Sequence, residues 1–211
     1  MAFRLSLKQM SLLKVFIHLA ALIPLVYTFY LATIDQLGAE PVMALIHFTG
    51  IGAFNLLLLS LTVSPTAKWL KQGLLLRVRR LVGLYAFTYA LSHFLTYIVF
   101  ELQLDWALVI SEIIKRPYIT VGFSAFLILA TLTVTSTQAM QRKLKTKWQK
   151  LHNWVYVALL LIALHFIWSV KSDIVEPLIY WAMALALLAL RKDKFLLAIK
   201  RIKNKRKKTL A

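Results

Sequence analysis

The sequence predicts an all-α protein, a bundle of six membrane-spanning helices with the N- and C-termini cytoplasmic. Three observations predict it. Of the 211 residues, 60% are apolar and 16% are charged, against about 25% charged in an ordinary soluble domain. Six long apolar stretches, roughly 12–34, 42–64, 80–101, 117–138, 151–170 and 177–191, are each bounded by a polar or charged break. The basic residues between them fall almost wholly on alternate sides.

Each stretch has the composition of a helix that must cross about 30 Å of hydrocarbon at 1.5 Å per residue. The first carries Pro24, which predicts a kink. It is too long for a signal-peptide core and lacks an A-x-A cleavage site, so it reads as a retained span. Spans two, four and six open at Pro41, Pro117 and Pro177, where a missing N–H costs nothing. The sixth looks short, and is expected to continue past Asp193 through Phe195–Ile199 or to run on as an interfacial helix.

Orientation follows from the charges. The N-terminus, the loop with Lys68, Lys71, Arg77, Arg79 and Arg80, the loop from Arg142 to Lys150 and the C-terminal tail hold 23 of the 26 Lys and Arg. The opposite side holds Lys115, Arg116 and Lys171, together with every acid but Asp193. The positive-inside rule places the basic side in the cytoplasm. The net charge of +18 is therefore membrane topology, and no nucleic-acid partner is expected. The tail segment 200–208 is an ordinary inside-positive terminus or a contact for anionic lipid. With no cysteine, thiolate metal sites and redox dithiols are excluded. No Gly-rich phosphate loop is present.

All five histidines, His18, His47, His93, His152 and His165, fall within or at the edge of spans, whereas no carboxylate sits inside one. An ionisable group in a span is a functional candidate by default. His93 lies 14 residues beyond Arg79, and His165 lies 15 beyond Lys150. Both imidazoles are thus about 21–22 Å from the inner edge, on parallel helices, at matching depth. Two facing imidazoles can fill both axial positions of a haem iron, giving an electron carrier with no open site. His152 sits about 20 Å further in on the same helix as His165. Its counterpart on span three is Arg79, so an inner haem would need a different partner. His18 and His47 read more simply as packing or hydrogen-bonding residues.

The run Arg79–Tyr85 leading to His93 and Tyr97 resembles the third span of ferric-reductase-like transmembrane domains. The stretch Thr135–Arg142, then Trp148-Gln149-Lys150-Leu151-His152-Asn153, then His165 and Trp168–Lys171, is closer still. Together with His47–Gly50 it resembles the haem-binding membrane subunits of bacterial MsrPQ protein-methionine-sulfoxide reductase systems. The resemblance covers nearly the whole chain. It implies a ferric-reductase-like haem-binding domain over residues 1–194 and a basic cytoplasmic tail over 195–211. It implies a non-catalytic b-type cytochrome of the bacterial inner membrane, carrying haem b and FMN. Electrons would pass from the quinone pool, or from a flavin reductase, to MsrP, a periplasmic molybdopterin-containing catalytic subunit. Related oxidases carry two histidines on each of spans three and five and a cytoplasmic flavin module. This chain has one histidine on span three and 21 residues after Leu190, too few for such a module.

The implied iron ligands are His93 and His165, with His152 as a further candidate. Arg116, beside Lys115, would pair a haem propionate or anchor the interface next to Pro117. Gly50 and Gly52 would let a flat cofactor approach the backbone, or serve helix packing. Arg77, Arg79 and Arg80 would set topology, or serve an inner haem, a flavin phosphate or an anionic donor. Two other function classes stay open at this point: a stand-alone transmembrane ferric or haem oxidoreductase, and a haem-free transporter.

Overall fold

A computed structural model describes residues 5–170 and 173–191. Among them every regular element is helical: α1 (Leu7–Thr33), α2 (Pro41–Trp69), α3 (Leu76–Thr96), α4 (Trp106–Lys115), α5 (Pro117–Val134), α6 (Gln138–Leu144), α7 (Thr146–His152), α8 (Val155–Ser169) and α9 (Val175–Ala189). A short 3-10 turn, Gly73–Leu75, leads into α3, which ends in a π-helical turn, Tyr97–Glu101. Among the described residues five segments, 7–33, 41–69, 73–101, 117–134 and 146–169, are long and apolar enough to cross a membrane. The sixth apolar helix, α9, has 15 residues. Its expected continuation through 195–199, and the tail, lie outside the described residues.

Local chemistry sets the boundaries. Ser6 and Gln9 form a reciprocal capping box at the start of α1, and prolines occupy the first turns of α2 and α5. Two features depart from the sequence reading. The outer connection 105–116 holds α4, capped by Asp105 Oδ1 accepting from the Leu108 N–H at 3.0 Å. The fifth apolar stretch is broken at Asn153-Trp154, so that His152 ends α7 rather than standing on the helix of His165.

The bundle pairs α2 with α3 and α5 with α8, with α3 against α5 and α9 against α8 and α2. Its core joins Phe54, Leu57 and Leu61 of α2 to Ala86, Leu129, Leu159 and Tyr180. Alanines at Ala86, Ala158, Ala163 and Ala184 have no exposed surface; such small side chains let helices approach closely, as packing within lipid requires. The Tyr180 hydroxyl donates to Asn55 Oδ1 at 2.9 Å, linking α9 to α2. α1 is the outermost helix, with Leu12, Phe16, Leu19, Ile23 and Val26 exposed. It is tied to α3 by the Tyr89 hydroxyl donating to Ala21 O at 2.7 Å and by a 2.6 Å hydrogen bond between His18 Nδ1 and the Tyr85 hydroxyl. Exposed tryptophans mark both ends of the bundle, Trp69 and Trp154 at the basic end, Trp106 and Trp168 at the acidic end, as an interfacial aromatic belt would.

Pro65 lies inside α2 and has no N–H for the Leu61 carbonyl four residues back. That carbonyl instead accepts from Arg191 Nη2 at 2.7 Å. A side chain from just beyond α9 thus repairs the helix that proline breaks.

Candidate functional site

His93 on α3 and His165 on α8 meet near the acidic end, with ring centres 6.2 Å apart and planes at 83°. Two imidazoles bound to one metal from opposite sides, at about 2 Å each, have ring centres roughly 6 Å apart. Each ring is held the same way. His93 Nδ1 donates to the Ile46 carbonyl on α2 at 2.8 Å, and His165 Nδ1 donates to the Tyr118 carbonyl on α5 at 2.7 Å. Donation from Nδ1 leaves the lone pair on Nε2, the tautomer a metal ligand needs. Among the described residues no hydrogen bond engages Nε2 of either ring.

Room for the imidazoles comes from glycine. A Cβ on Gly50 would lie 3.0 Å from His93 Nδ1, and one on Gly122 only 2.6 Å from His165 Nδ1. The carbonyl, the glycine and the histidine therefore recur in one arrangement, 72 residues apart: 46 to 118, 50 to 122 and 93 to 165. Buried packing positions follow the same offset, Ala53 with Ala125 and Ala86 with Ala158. The α2–α3 pair and the α5–α8 pair are thus two copies of one cradle facing each other. Sequence reasoning passed over Gly122 and this repeat. The signal was present in the equal spacing from Gly50 to His93 and from Gly122 to His165. Of the two readings of Gly50 and Gly52, the structure displays helix packing: His93 lies against Gly50, and Tyr89 against Gly52.

The other sequence candidates stand apart from the pair. His152, at the basic end, stacks on Trp148 with ring centres 4.0 Å apart, and its Nε2 is 3.2 Å from Thr135 Oγ1. No second histidine accompanies it among the described residues, and Arg79 is close enough to act on it electrostatically. Arg116 lies at the acidic end, half-exposed. Its Nε meets Glu112 Oε2 at 2.6 Å and its Nη1 donates to the Tyr118 hydroxyl at 3.2 Å. The Tyr118 hydroxyl, first, and the Glu112 carboxylate hold the Arg116 pKa above its ordinary value. Glu112 also accepts from the Tyr97 hydroxyl at 3.2 Å. Arg116 thus bridges α4 to the residue whose carbonyl holds His165. His18 is exposed on α1 and bonded to Tyr85; His47 is exposed on α2, next to the Ile46 whose carbonyl holds His93, and is close enough to act on His93 electrostatically.

Among the described residues no group of three or more His, Asp or Glu is placed to hold a metal ion. Two opposed imidazoles supply two ligands, so a metal held there would take its remaining ligands from elsewhere, as an iron does from a planar macrocycle. The comparisons with known proteins bear on this arrangement. The family described as ferric reductase like transmembrane component matches residues 48–163, a segment containing both Gly–His pairs except for His165 itself. Proteins of Salmonella newport, Salmonella typhi and Salmonella paratyphi B, each named protein-methionine-sulfoxide reductase heme-binding subunit MsrQ, are 49% identical to the chain over 193 residues. The match covers 91% of this chain and 97% of each relative.

The chain belongs to the MsrQ family. Membership in a transmembrane family, together with several helices long and apolar enough to span, makes it a multi-pass membrane protein.

Proposed function

We propose that this MsrQ-family chain is a non-catalytic b-type cytochrome in which His93 and His165 are the axial ligands of a haem. The observation that carries the reading is the opposed pair itself, with ring centres 6.2 Å apart and each Nδ1 spent on a backbone carbonyl. The name of the relatives, a heme-binding subunit, supports it. Thr96 Oγ1, one turn beyond His93, is buried without a hydrogen-bond partner, so a polar donor is left over beside the pair.

A haem bound there supplies a one-electron couple within hydrocarbon. The chain's own residues do the rest. The carbonyls of Ile46 and Tyr118 orient the imidazoles, and Gly50 and Gly122 make the space. The buried alanines let the helices of the bundle approach closely.

In this proposal the chain has six spans with both termini in the cytoplasm of a bacterial inner membrane, as its basic residues favour. Residues 1–194 form the haem-binding domain and 195–211 the basic cytoplasmic tail. The partner is a periplasmic molybdopterin-containing MsrP catalytic subunit, which the relatives' name favours by calling them one subunit of a methionine-sulfoxide reductase. Methionine sulfoxide is reversible damage whose repair consumes two electrons. The donor is the quinone pool or a flavin reductase. FMN is retained as a cofactor from the family resemblance, with no residue assigned to it. His152 is a relay or a further iron ligand for electrons entering at the basic end. Arg116, though paired to Glu112, is near enough to the His165 cradle to face a propionate.

The test is the reduced-minus-oxidised visible spectrum of the purified chain, followed by addition of the partner enzyme with methionine sulfoxide. The reading expects low-spin b-haem bands and their re-oxidation. A colourless protein would refute it. His152→Ala should slow reduction by a cytoplasmic donor in stopped flow while the haem stays bound; unchanged kinetics would remove the relay.

A further inference from the structure

Each imidazole is tied to its own helix pair, His93 to α2 through the Ile46 carbonyl and His165 to α5 through the Tyr118 carbonyl. Between the pairs, α3 meets α5 through the Phe94 ring, whose centre is 5.6 Å from that of Phe123 and 4.7 Å from that of Phe126. Apolar contact of this kind is non-directional and does not by itself fix a separation or an angle. A directional connection runs round the acidic end through α4. The Tyr97 N–H donates to the His93 carbonyl one turn back. The Tyr97 hydroxyl donates to Glu112 Oε2 at 3.2 Å, and Arg116 Nε meets the same oxygen at 2.6 Å. Arg116 Nη1 donates to the Tyr118 hydroxyl, and the Tyr118 carbonyl accepts from His165. The Tyr118 ring also stacks on His165, with centres 6.0 Å apart and planes at 30°.

Glu112 Oε2 is thus the junction of a hydrogen-bonded path from one candidate ligand to the other. Its side chain is only 14% exposed, so water competes little for the carboxylate. Hydrogen bonds to an ionised acceptor are about twice as strong as those between neutral groups. α4 is itself held on both sides. Val109 clusters with Ile98 and Leu102, just beyond α3, and Ile113 packs against them. A single residue, Arg116, joins α4 to α5, and the Thr120 hydroxyl of α5 donates to the Ile113 carbonyl. A shift of α4 is therefore felt by both helix pairs.

We propose that Glu112 is a positioning residue for the electron-carrying site: its carboxylate closes a brace between α3 and α5 that fixes the separation and angle of the two imidazoles. The proposal rests on the reading of His93 and His165 as axial haem ligands. It gives α4, which lies outside the spans, a task in the site. It also differs from propionate pairing by Arg116, because the brace runs through Tyr97 and Glu112, neither of which is a cation. Links in series fail together. Losing any one of them releases the brace, and a second loss adds little.

The test uses the full chain purified with its haem. In the low-spin ferric electron paramagnetic resonance spectrum, the largest g value reports the angle between two axial imidazole planes. It falls as perpendicular rings turn towards parallel, and the planes here are at 83°. Tyr97→Phe and Tyr118→Phe each delete one hydroxyl and keep the ring and the backbone. Each is expected to lower or split the wild-type signal, and the double variant to go no further than the single ones. Glu112→Gln, which removes the charge that both donors share, is expected to shift the signal in the same direction. Glu101→Gln takes the same charge from an exposed position at the same end and is expected to leave the signal unchanged. A wild-type signal in Tyr97→Phe, or an equal shift in Glu101→Gln, would overturn the proposal. Melting temperatures of wild type, Tyr97→Phe, Tyr118→Phe and the double variant give a readout that needs no haem. A loss in the double variant smaller than the sum of the single losses supports the brace, and strict additivity refutes it. A colourless wild type would refute the haem reading alone, and the melting-temperature cycle would then decide the brace.

Discussion

Gly122→Ala is the substitution that probes the cradle most sharply. The added methyl would sit 2.6 Å from Nδ1, 2.9 Å from Cε1 and 3.0 Å from Cγ of His165. No carbon of a side chain tolerates such contacts, so the imidazole or the helix pair must move. The ring is not a flexible chain end: its Nδ1 is fixed to Tyr118 O at 2.7 Å. Overpacking of this kind costs about 1–3 kcal/mol, and loss of the Nδ1 hydrogen bond adds about 1 kcal/mol. Against this, alanine is better than glycine in a helix by roughly 0.5–1 kcal/mol. The net is a loss of about 2 kcal/mol, equivalent to roughly 4–8 °C in a chain of this size. Gly83→Ala is the control, because nothing lies within 4 Å of its Cβ position on α3; it should raise stability by about 0.5–1 kcal/mol. Gly50→Ala, with contacts of 3.0 and 3.1 Å to His93, should fall between them. The assay is thermal unfolding of the purified variants, read alongside haem content. The order Gly83, Gly50, Gly122 from most to least stable is expected. A Gly122→Ala variant as stable as Gly83→Ala, with undiminished haem, would refute the cradle.

Removing the Arg191 contact with Arg191→Met should destabilise wild type by about 2 kcal/mol. In a Pro65→Ala background the restored N–H serves Leu61 O, so the same substitution should cost about 1 kcal/mol less in a double-mutant cycle; strictly additive effects would remove the link between Pro65 and Arg191. A reporter active only outside the cytoplasm should work when fused after Asp105 or Asp173 and fail after Lys71, Lys145 or Lys208. Activity after Lys145 would overturn the charge-based orientation.

The helical class and the five long apolar segments were legible because hydropathy and proline placement act over whole segments. The depth match of His93 and His165 was legible too, since helix rise converts residue number into depth, and the structure sets the two rings 6.2 Å apart. What holds them was not. Ile46 and Tyr118 contribute carbonyls, which every residue possesses, and Gly122 acts through a missing side chain. α4 falls between the third and fourth apolar stretches, where charge alone was weighed; its regularity comes from the Asp105 cap and an amphipathic pattern. Arg191 was counted as one of many inside-facing cations. Its contact is with the Leu61 carbonyl that Pro65, 126 residues earlier, leaves without an N–H, a neighbourhood visible only once α2 and α9 are packed.

The most direct test of the central claim is haem content and spin state in single alanine variants of the five histidines. The account predicts that His93→Ala and His165→Ala each abolish the low-spin b-type spectrum, while His18→Ala and His47→Ala retain it in full. A normal low-spin spectrum and full haem content in either His93→Ala or His165→Ala would contradict it.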